Sequence, residues 1–153
     1  MTQFTISRFV KVPTDVAYGV AADVEAYGEF LPLLQRSTIR GARNAMGQGE
    51  QFKAEMVVAY RKLGVREAFT STVTTDPVNR VVTATSSDGP VKELLVEWRV
   101  ADAVNGSTVT ATVDIVLRNP LLQMAFAGVK DIAANKIMNA FEDRATRMTR
   151  VFN

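Results

Sequence analysis

The sequence contains no cysteine and no histidine among its 153 residues. Without cysteine it can form no disulfide, no thiol nucleophile and no cysteine-ligated zinc site. Without histidine, a Ser-His-Asp triad and a histidine-ligated haem or copper site are excluded, and the commonest general base near neutral pH is missing. Chemistry is left to carboxylates, lysine, tyrosine and arginine, so we predict a binding protein without catalytic residues, metal ligands or a cofactor.

Long apolar runs are also missing, because charged residues interrupt every stretch that approaches membrane-spanning length. The N-terminus, MTQFTISRFVKV, lacks the unbroken apolar core and small-residue cleavage site of a signal peptide. We therefore expect a cytoplasmic protein, with peripheral contact to the inner membrane as an open alternative. The length and composition, 47% hydrophobic and 22% charged, fit one domain over residues 1–153. A formal charge of +2 is too small to indicate a DNA partner.

Alternating apolar and polar residues predict a series of short β-strands in the middle of the chain. The alternation is clearest in Phe52–Tyr60, Leu94–Val100 and Val109–Leu117, where apolar side chains recur at every second position. Turn signals at Asp88–Pro90 and Asn105–Gly106 separate these segments. Short strands at this spacing are typical of an antiparallel meander.

Helical periodicity brackets the meander on both sides. A first helix is predicted from Thr14 to about Tyr27, followed by a short helix or turn at Glu29–Leu33. A second, much longer helix is predicted to begin at Asn119, an N-cap residue followed by proline, and to run to about Val151. At 1.5 Å per residue this helix would be roughly 45 Å long and would span the whole domain.

The predicted order is therefore strand, helix, short helix, about six strands and a long helix, which is an α+β fold. A sheet of about seven antiparallel strands twists and curls as its strands accumulate. Its apolar face would stay exposed to water unless the long C-terminal helix lay across it. We predict a curved antiparallel sheet wrapped around that helix.

Several local strings resemble the START-like, or helix-grip, superfamily. The segment Val24–Pro32 is similar to the family string D-V-E-x-Y-P-x-F-L-P, and Asp88–Lys92 resembles its D-G-P-F-K turn. Trp98 stands where the following strand of the family carries a tryptophan, and Asn119–Leu122 and Ala133–Phe141 are similar to its last helix. Within the superfamily the chain looks like the coenzyme Q-binding branch, which includes the RatA-like ribosome-association toxins.

The resemblance implies a carrier or chaperone that binds ubiquinone or another polyprenyl lipid in an internal cavity and supports respiratory electron transfer. The quinone would be a bound ligand and not a redox cofactor. Two alternatives stay open: a RatA-like factor that binds the large ribosomal subunit and inhibits subunit joining, and a cyclase or aromatase on the same fold. The expected partners are thus a small hydrophobic ligand and, as alternatives, an anionic membrane or the ribosome.

The candidate ligand-binding residues are apolar side chains that the predicted elements turn inward. Apolar periodicity marks burial, so each of these residues could also serve the core alone. The predicted lining residues are Tyr27, Phe30, Leu31, Phe52, Met56, Phe69, Val73, Leu94, Trp98, Val113, Phe126, Val129, Ile137 and Phe141. Pro32 and Pro90 are predicted to gate the passage of the ligand, as the resemblance implies.

Charged residues support two further hypotheses. Glu67 shares the strand face of Phe69, and Arg8 shares the inward face of the first strand, so either could bring an ionisable group into the cavity. Clusters of basic residues could attract anionic lipid headgroups or ribosomal RNA. These clusters are Arg36 and Arg40; Arg61, Lys62 and Arg66; and Arg144, Arg147 and Arg150.

Overall fold

A computed structural model describes residues 2–61 and 64–152, with side chains described as far as residue 149 apart from that gap. None of the described helices combines the length and apolar character needed to cross a bilayer. The elements, in chain order, are β1 (Thr2–Val10), α1 (Thr14–Ala22), a 3₁₀ helix (Val24–Glu29), β2 (Leu34–Met46), β3 (Gly49–Tyr60), β4 (Val65–Asp76), β5 (Val81–Ser86), β6 (Val91–Ala103), β7 (Gly106–Leu117) and α2 (Pro120–Phe152).

The strands form one antiparallel sheet in the order β1-β7-β6-β5-β4-β3-β2. Each strand from β2 to β7 pairs with its neighbour in sequence, and the chain crosses from β1 at one edge to β2 at the other through α1 and the 3₁₀ helix. The long helix α2 packs against β1, β7 and α1. This arrangement confirms the predicted α+β class and the curved seven-stranded sheet that grips a C-terminal helix.

Alternation in the strands produces the apolar inner face of the sheet. In β3, Phe52, Ala54 and Met56 are buried, and in the antiparallel register Phe52 lies opposite Val73 and Met56 opposite Phe69 of β4. Side chains that face each other across an antiparallel pair point to the same side of the sheet. The inner face is therefore continuous across neighbouring strands.

The region between β1 and β2 differs from the sequence prediction. The first helix ends at Ala22 and not near Tyr27 as predicted, and the 3₁₀ helix that follows includes Gly28. A Cβ atom at Gly28 would lie 2.9 Å from the carbonyl oxygen of Gln35. Glycine is therefore needed for the close approach of the 3₁₀ helix to β2, a tertiary contact that sequence periodicity does not reveal.

The segment 44–49, which shows no strand periodicity in the sequence, is mostly strand. Met46 pairs with Gly49 across a tight turn in which Gly47 has a φ of 61°. The residues on both faces of this end of β2 are exposed. Because no face is buried there, the sequence has no apolar alternation to show.

The start of α2 follows the predicted capping pattern. The Asn119 Oδ1 atom accepts a hydrogen bond from the Leu121 amide at 2.9 Å. We expect Asn119→Ala to lower the free energy of unfolding by about 1 kcal/mol, because the amides of the first turn lose their acceptor. Urea denaturation would measure this, with Asn119→Asp as a control that keeps the acceptor. Equal unfolding midpoints for the wild type and Asn119→Ala would contradict the capping role.

Candidate functional site

A cavity of about 330 Å³ lies between the inner face of the sheet and the N-terminal half of α2. Its walls are almost entirely apolar, and most of the residues predicted from the sequence are among them. These are Tyr27, Leu31, Pro32, Met56, Phe69, Val73, Pro90, Leu94, Trp98, Val113, Phe126, Val129 and Ile137. The cavity combines residues from the 3₁₀ helix and the segment after it, from all seven strands, and from α2. Their contact with a ligand stays a prediction.

Three aromatic residues predicted to line the cavity, Phe30, Phe52 and Phe141, are not among its lining residues in the structure. Phe141 is 1% exposed and stacks on Trp98, with 4.7 Å between ring centroids, so it supports the cavity wall from behind. Phe52 is buried in the core, and the Arg43 guanidinium lies 4.7 Å from its ring centroid. Phe30 packs by its edge against Tyr27. All three follow the apolar pattern of their elements. The pattern predicts which face of an element is buried, but it does not predict which buried side chains border the cavity.

Other lining residues were not singled out from the sequence. Four of them lie two or four residues from a predicted position on the same strand face of β6 or β7, so the same periodicity could have identified them. They are Val96, Ala111, Ile115 and Leu117. The two from β5, Val82 and Ala84, lie in a short β-branched strand where the inward face was ambiguous. The remaining ones are Phe4, Val24, Leu33, Leu34, Val58, Ala59, Tyr60, Val65, Val91, Leu122 and Ala125, together with Glu67, whose place is given below.

Solvent-exposed lining residues mark the mouth of the cavity, namely Leu33 in the segment before β2 and Glu67 on β4. Pro90 of the turn before β6 and Leu122 of α2 also belong to the lining. Arg118 ties the turn to the helix, since its amide donates to the Pro90 carbonyl at 3.0 Å and its Nε to the Gly89 carbonyl at 2.9 Å. Leu33 adopts a left-handed φ of 72°, which is costly for a leucine. The two predicted gate residues, Pro32 and Pro90, both line the cavity, and their gating role stays a prediction.

The segment that covers one side of the mouth is held from both ends. Arg144 of α2 donates to Glu29 at 3.2 Å, and its guanidinium lies 5.3 Å from the Phe30 ring centroid. Tyr27 is buried, and its hydroxyl donates to the Ala21 carbonyl. Burial raises the pKa of Tyr27 well above its usual range, so the phenol stays protonated and serves as a donor. These contacts fix the 3₁₀ helix against α1 and α2.

The two ionisable groups expected inside the cavity are not buried there. Glu67 is exposed at the rim, contrary to the hypothesis of a buried base. Arg8 donates to Asn139 and lies 3.4 Å from the Glu142 carboxylate, so it joins β1 to α2 outside the cavity. Among the lining residues that the structure describes, Glu67 is the one charged residue. The chemistry of the interior is therefore that of apolar burial.

Apolar space of this size has a measurable energetic consequence. If it stayed dry, a cavity of 330 Å³ would cost about 8 kcal/mol at ~24 cal/mol per Å³. That cost is comparable with the whole stability of a domain. Each methylene of a guest that enters the cavity returns about 0.8 kcal/mol. The geometry therefore favours occupation by a hydrophobic molecule.

Some members of the predicted basic clusters pair with acidic residues, and Arg66 donates to a neutral amide. Lys62 and the Arg150 side chain lie outside the part of the chain that is described. The pairs are Arg40 with Glu55 at 3.1 Å, Arg66 with the Gln35 amide oxygen at 3.1 Å, and Arg147 with Asp143 at 3.0 Å. Compensated charges weaken the long-range attraction to an anionic surface.

Comparison with known proteins adds a family match. A family model described as polyketide cyclase / dehydrase and lipid transport matches residues 10–142. The ribosome association toxin RatA of Escherichia coli strain K12 is 28% identical over 147 residues, which cover 95% of this chain and 87% of RatA. The match thus extends over nearly the whole of both chains.

Solved structures show the same architecture. An 18 kDa protein from Caulobacter crescentus superposes with a TM-score of 0.81 at 24% identity, covering 97% of this chain and 98% of that one. The Zhui aromatase/cyclase from Streptomyces sp. R1128 superposes with a TM-score of 0.77 at 23% identity, covering 95% of this chain and 94% of that one. At these identities the likeness establishes the fold.

Proposed function

Because the chain belongs to the polyketide cyclase/dehydrase and lipid transport family, in the RatA-like branch of the START-like superfamily, we propose that it binds ubiquinone or another polyprenyl lipid and carries it for respiratory electron transfer. The observation that carries this proposal is the apolar cavity under α2, with its mouth at one end of the sheet. A quinone ring with part of its tail suits this volume, and the rest of the tail can extend through the mouth.

We propose binding and not catalysis, although the family also includes cyclases. General acid–base catalysis requires a positioned group that exchanges a proton with the substrate. The charged residue at the described cavity wall, Glu67, is exposed at the rim, and the Tyr27 hydroxyl is directed to the Ala21 carbonyl. Neither is placed to act on a substrate deep in the cavity.

Titration with a short-chain polyprenyl quinone tests the proposal. A ligand that binds the folded state at one hundred times its Kd stabilises that state by about 2.7 kcal/mol. We expect a clear rise in the thermal unfolding midpoint that saturates with quinone concentration. An unchanged midpoint at the solubility limit of the quinone would argue against the carrier function.

An exposed apolar strip beside the mouth supports a route for ligand loading from a membrane. Leu121 and Met124, one turn apart on α2, are 75% and 71% exposed, whereas Leu122 and Ala125 of the same turns line the cavity. The positively charged Arg118 lies next to this strip, at the start of the helix. We propose that the strip enters the interface of an anionic bilayer while the mouth faces the lipid.

The double substitution Leu121→Glu with Met124→Glu should weaken binding to vesicles that contain phosphatidylglycerol by at least about tenfold, because two apolar side chains are replaced by like charges. Vesicle co-sedimentation would measure the change. Val104→Glu is a matched control, since Val104 is 87% exposed at the β6–β7 turn, at the far end of the sheet. Equal vesicle binding by the double variant and the control would rule out this surface.

The likeness to RatA supports a second candidate function. The 28% identity extends over 95% of this chain, so a ribosome-association activity that blocks subunit joining is the alternative proposal. Sucrose-gradient profiles after overproduction would test it. An unchanged ratio of free subunits to joined ribosomes would remove this candidate. A rise in free subunits that persists in variants unable to bind quinone would favour it.

A further inference from the structure

A second recess, which we call the vestibule, adjoins the apolar cavity at the start of β2 and the end of β3, and it is more open to solvent than the cavity. The residues that line both spaces are Leu33, Leu34, Ala59 and Tyr60, whereas Gln35 and Arg61 line the vestibule alone. Since the exposed Leu33 also marks the mouth of the cavity, the vestibule lies at that mouth. A lipid whose tail fills the cavity can therefore place its head group in the vestibule.

The two residues that line the vestibule alone are polar, and both offer hydrogen-bond donors. Arg61 is exposed, and a guanidinium has five N–H donors and no acceptor. The Gln35 amide oxygen accepts a hydrogen bond from the Arg66 Nε at 3.1 Å. Because arginine can only donate, this bond keeps the oxygen of Gln35 towards Arg66 and leaves the Gln35 NH₂ group to donate elsewhere. The vestibule thus suits a ligand group that is rich in acceptors.

The positive charge around the vestibule is not neutralised by the described part of the protein. Arg61 and Arg66 form no ion pair with a described carboxylate, and neither does Arg36, which follows Gln35 on β2. Most of the other described arginines do form such pairs. Glu67, next to Arg66 on β4, lines the cavity but not the vestibule. An anionic group in the vestibule would supply the missing negative charge.

We propose that the vestibule binds the anionic head group of a prenyl lipid whose tail lies in the apolar cavity. The ligand class is a single prenyl chain that ends in a phosphate, because a guanidinium and phosphate oxygens form paired, charge-assisted hydrogen bonds. Arg61 and the Gln35 NH₂ group are the donors. This inference rests on the proposed binding of a prenyl tail, and it extends the ligands of the protein from neutral quinones to anionic lipids.

The test compares farnesyl phosphate with farnesol, which has the same tail and a neutral head. Isothermal titration calorimetry would measure both dissociation constants below the concentration at which either compound aggregates. For the wild type we expect farnesyl phosphate to bind at least about tenfold more tightly than farnesol. This advantage should shrink as salt is added, since Arg61 is exposed and exposed charges are screened by salt.

Substitutions in the vestibule should affect one ligand and not the other. For Arg61→Gln we expect the Kd of farnesyl phosphate to rise about tenfold, the contribution of a hydrogen bond to a charged group, and the Kd of farnesol to stay the same. Gln35→Glu should weaken farnesyl phosphate in the same way, because a carboxylate in the vestibule repels the phosphate.

Arg99→Gln is a matched control. It removes the same charge from β6, where Arg99 pairs with Glu97 at 3.0 Å and lines neither space. It should leave both dissociation constants unchanged. Equal affinity of the wild type for the two compounds, or equal losses in Arg61→Gln and Arg99→Gln, would overturn the anionic site while the carrier function stands. If the wild type bound neither prenyl compound nor the short-chain quinone, the carrier function would fail as well.

Discussion

Ala84→Phe is expected to abolish tight binding of a hydrophobic ligand while leaving the fold intact. Ala84 lies on β5 opposite Val73 of β4 and Val96 of β6, and all three side chains line the cavity. A phenyl ring at this position would fill space that a ligand needs and displace roughly four ligand carbons. At about 0.8 kcal/mol for each carbon, the Kd should rise on the order of 100-fold.

The same substitution should not destabilise the ligand-free protein, since the ring fills apolar space in place of a guest. Isothermal titration with a short-chain quinone would measure binding, and chemical denaturation would measure stability. Ala101→Phe provides the control, because Ala101 is exposed on β6 and does not line the cavity. If Ala84→Phe bound the ligand as tightly as Ala101→Phe, the ligand would have to lie outside this cavity.

Phe141→Ala is expected to give the largest loss of stability, about 3–5 kcal/mol in the free energy of unfolding. The Phe141 ring is almost fully buried and stacks on Trp98 with an interplanar angle of 21°. Removing the ring leaves a void between α2 and the sheet, and it also removes the support of a cavity wall.

Urea or guanidinium denaturation would measure this loss. The control is Phe9→Ala, since Phe9 is half-exposed on β1 and its truncation removes far less buried surface. A loss below about 1 kcal/mol for Phe141→Ala would mean that the stacked pair does not fasten α2 to the sheet.

The architecture could be predicted because long elements with one apolar face leave few ways of packing. The alternation in Phe52–Tyr60 and Val109–Leu117 predicted strands that the structure contains, and the Asn119 cap marked the start of α2. The 3₁₀ helix over Val24–Glu29 was not predicted, and its close approach to β2 at Gly28 is a tertiary contact. Because this contact joins segments of two different elements, the 3₁₀ helix and β2, the spacing of apolar residues in the sequence does not reveal it.

The candidate site could be predicted only in part, for a related reason. Apolar spacing put Trp98 and Phe141 on the inner side together, but it could not show that one ring lines the cavity while the other supports it from behind.

The most direct test is to purify the protein from its native host without detergent, extract it with organic solvent and analyse the extract by mass spectrometry. We expect a prenylated, quinone-type lipid in near-equal molar amount with the wild type, and much less of it with Ala84→Phe. An extract without any lipid, from a protein whose thermal midpoint also does not change with added quinone, would contradict the claim that the cavity binds a hydrophobic ligand.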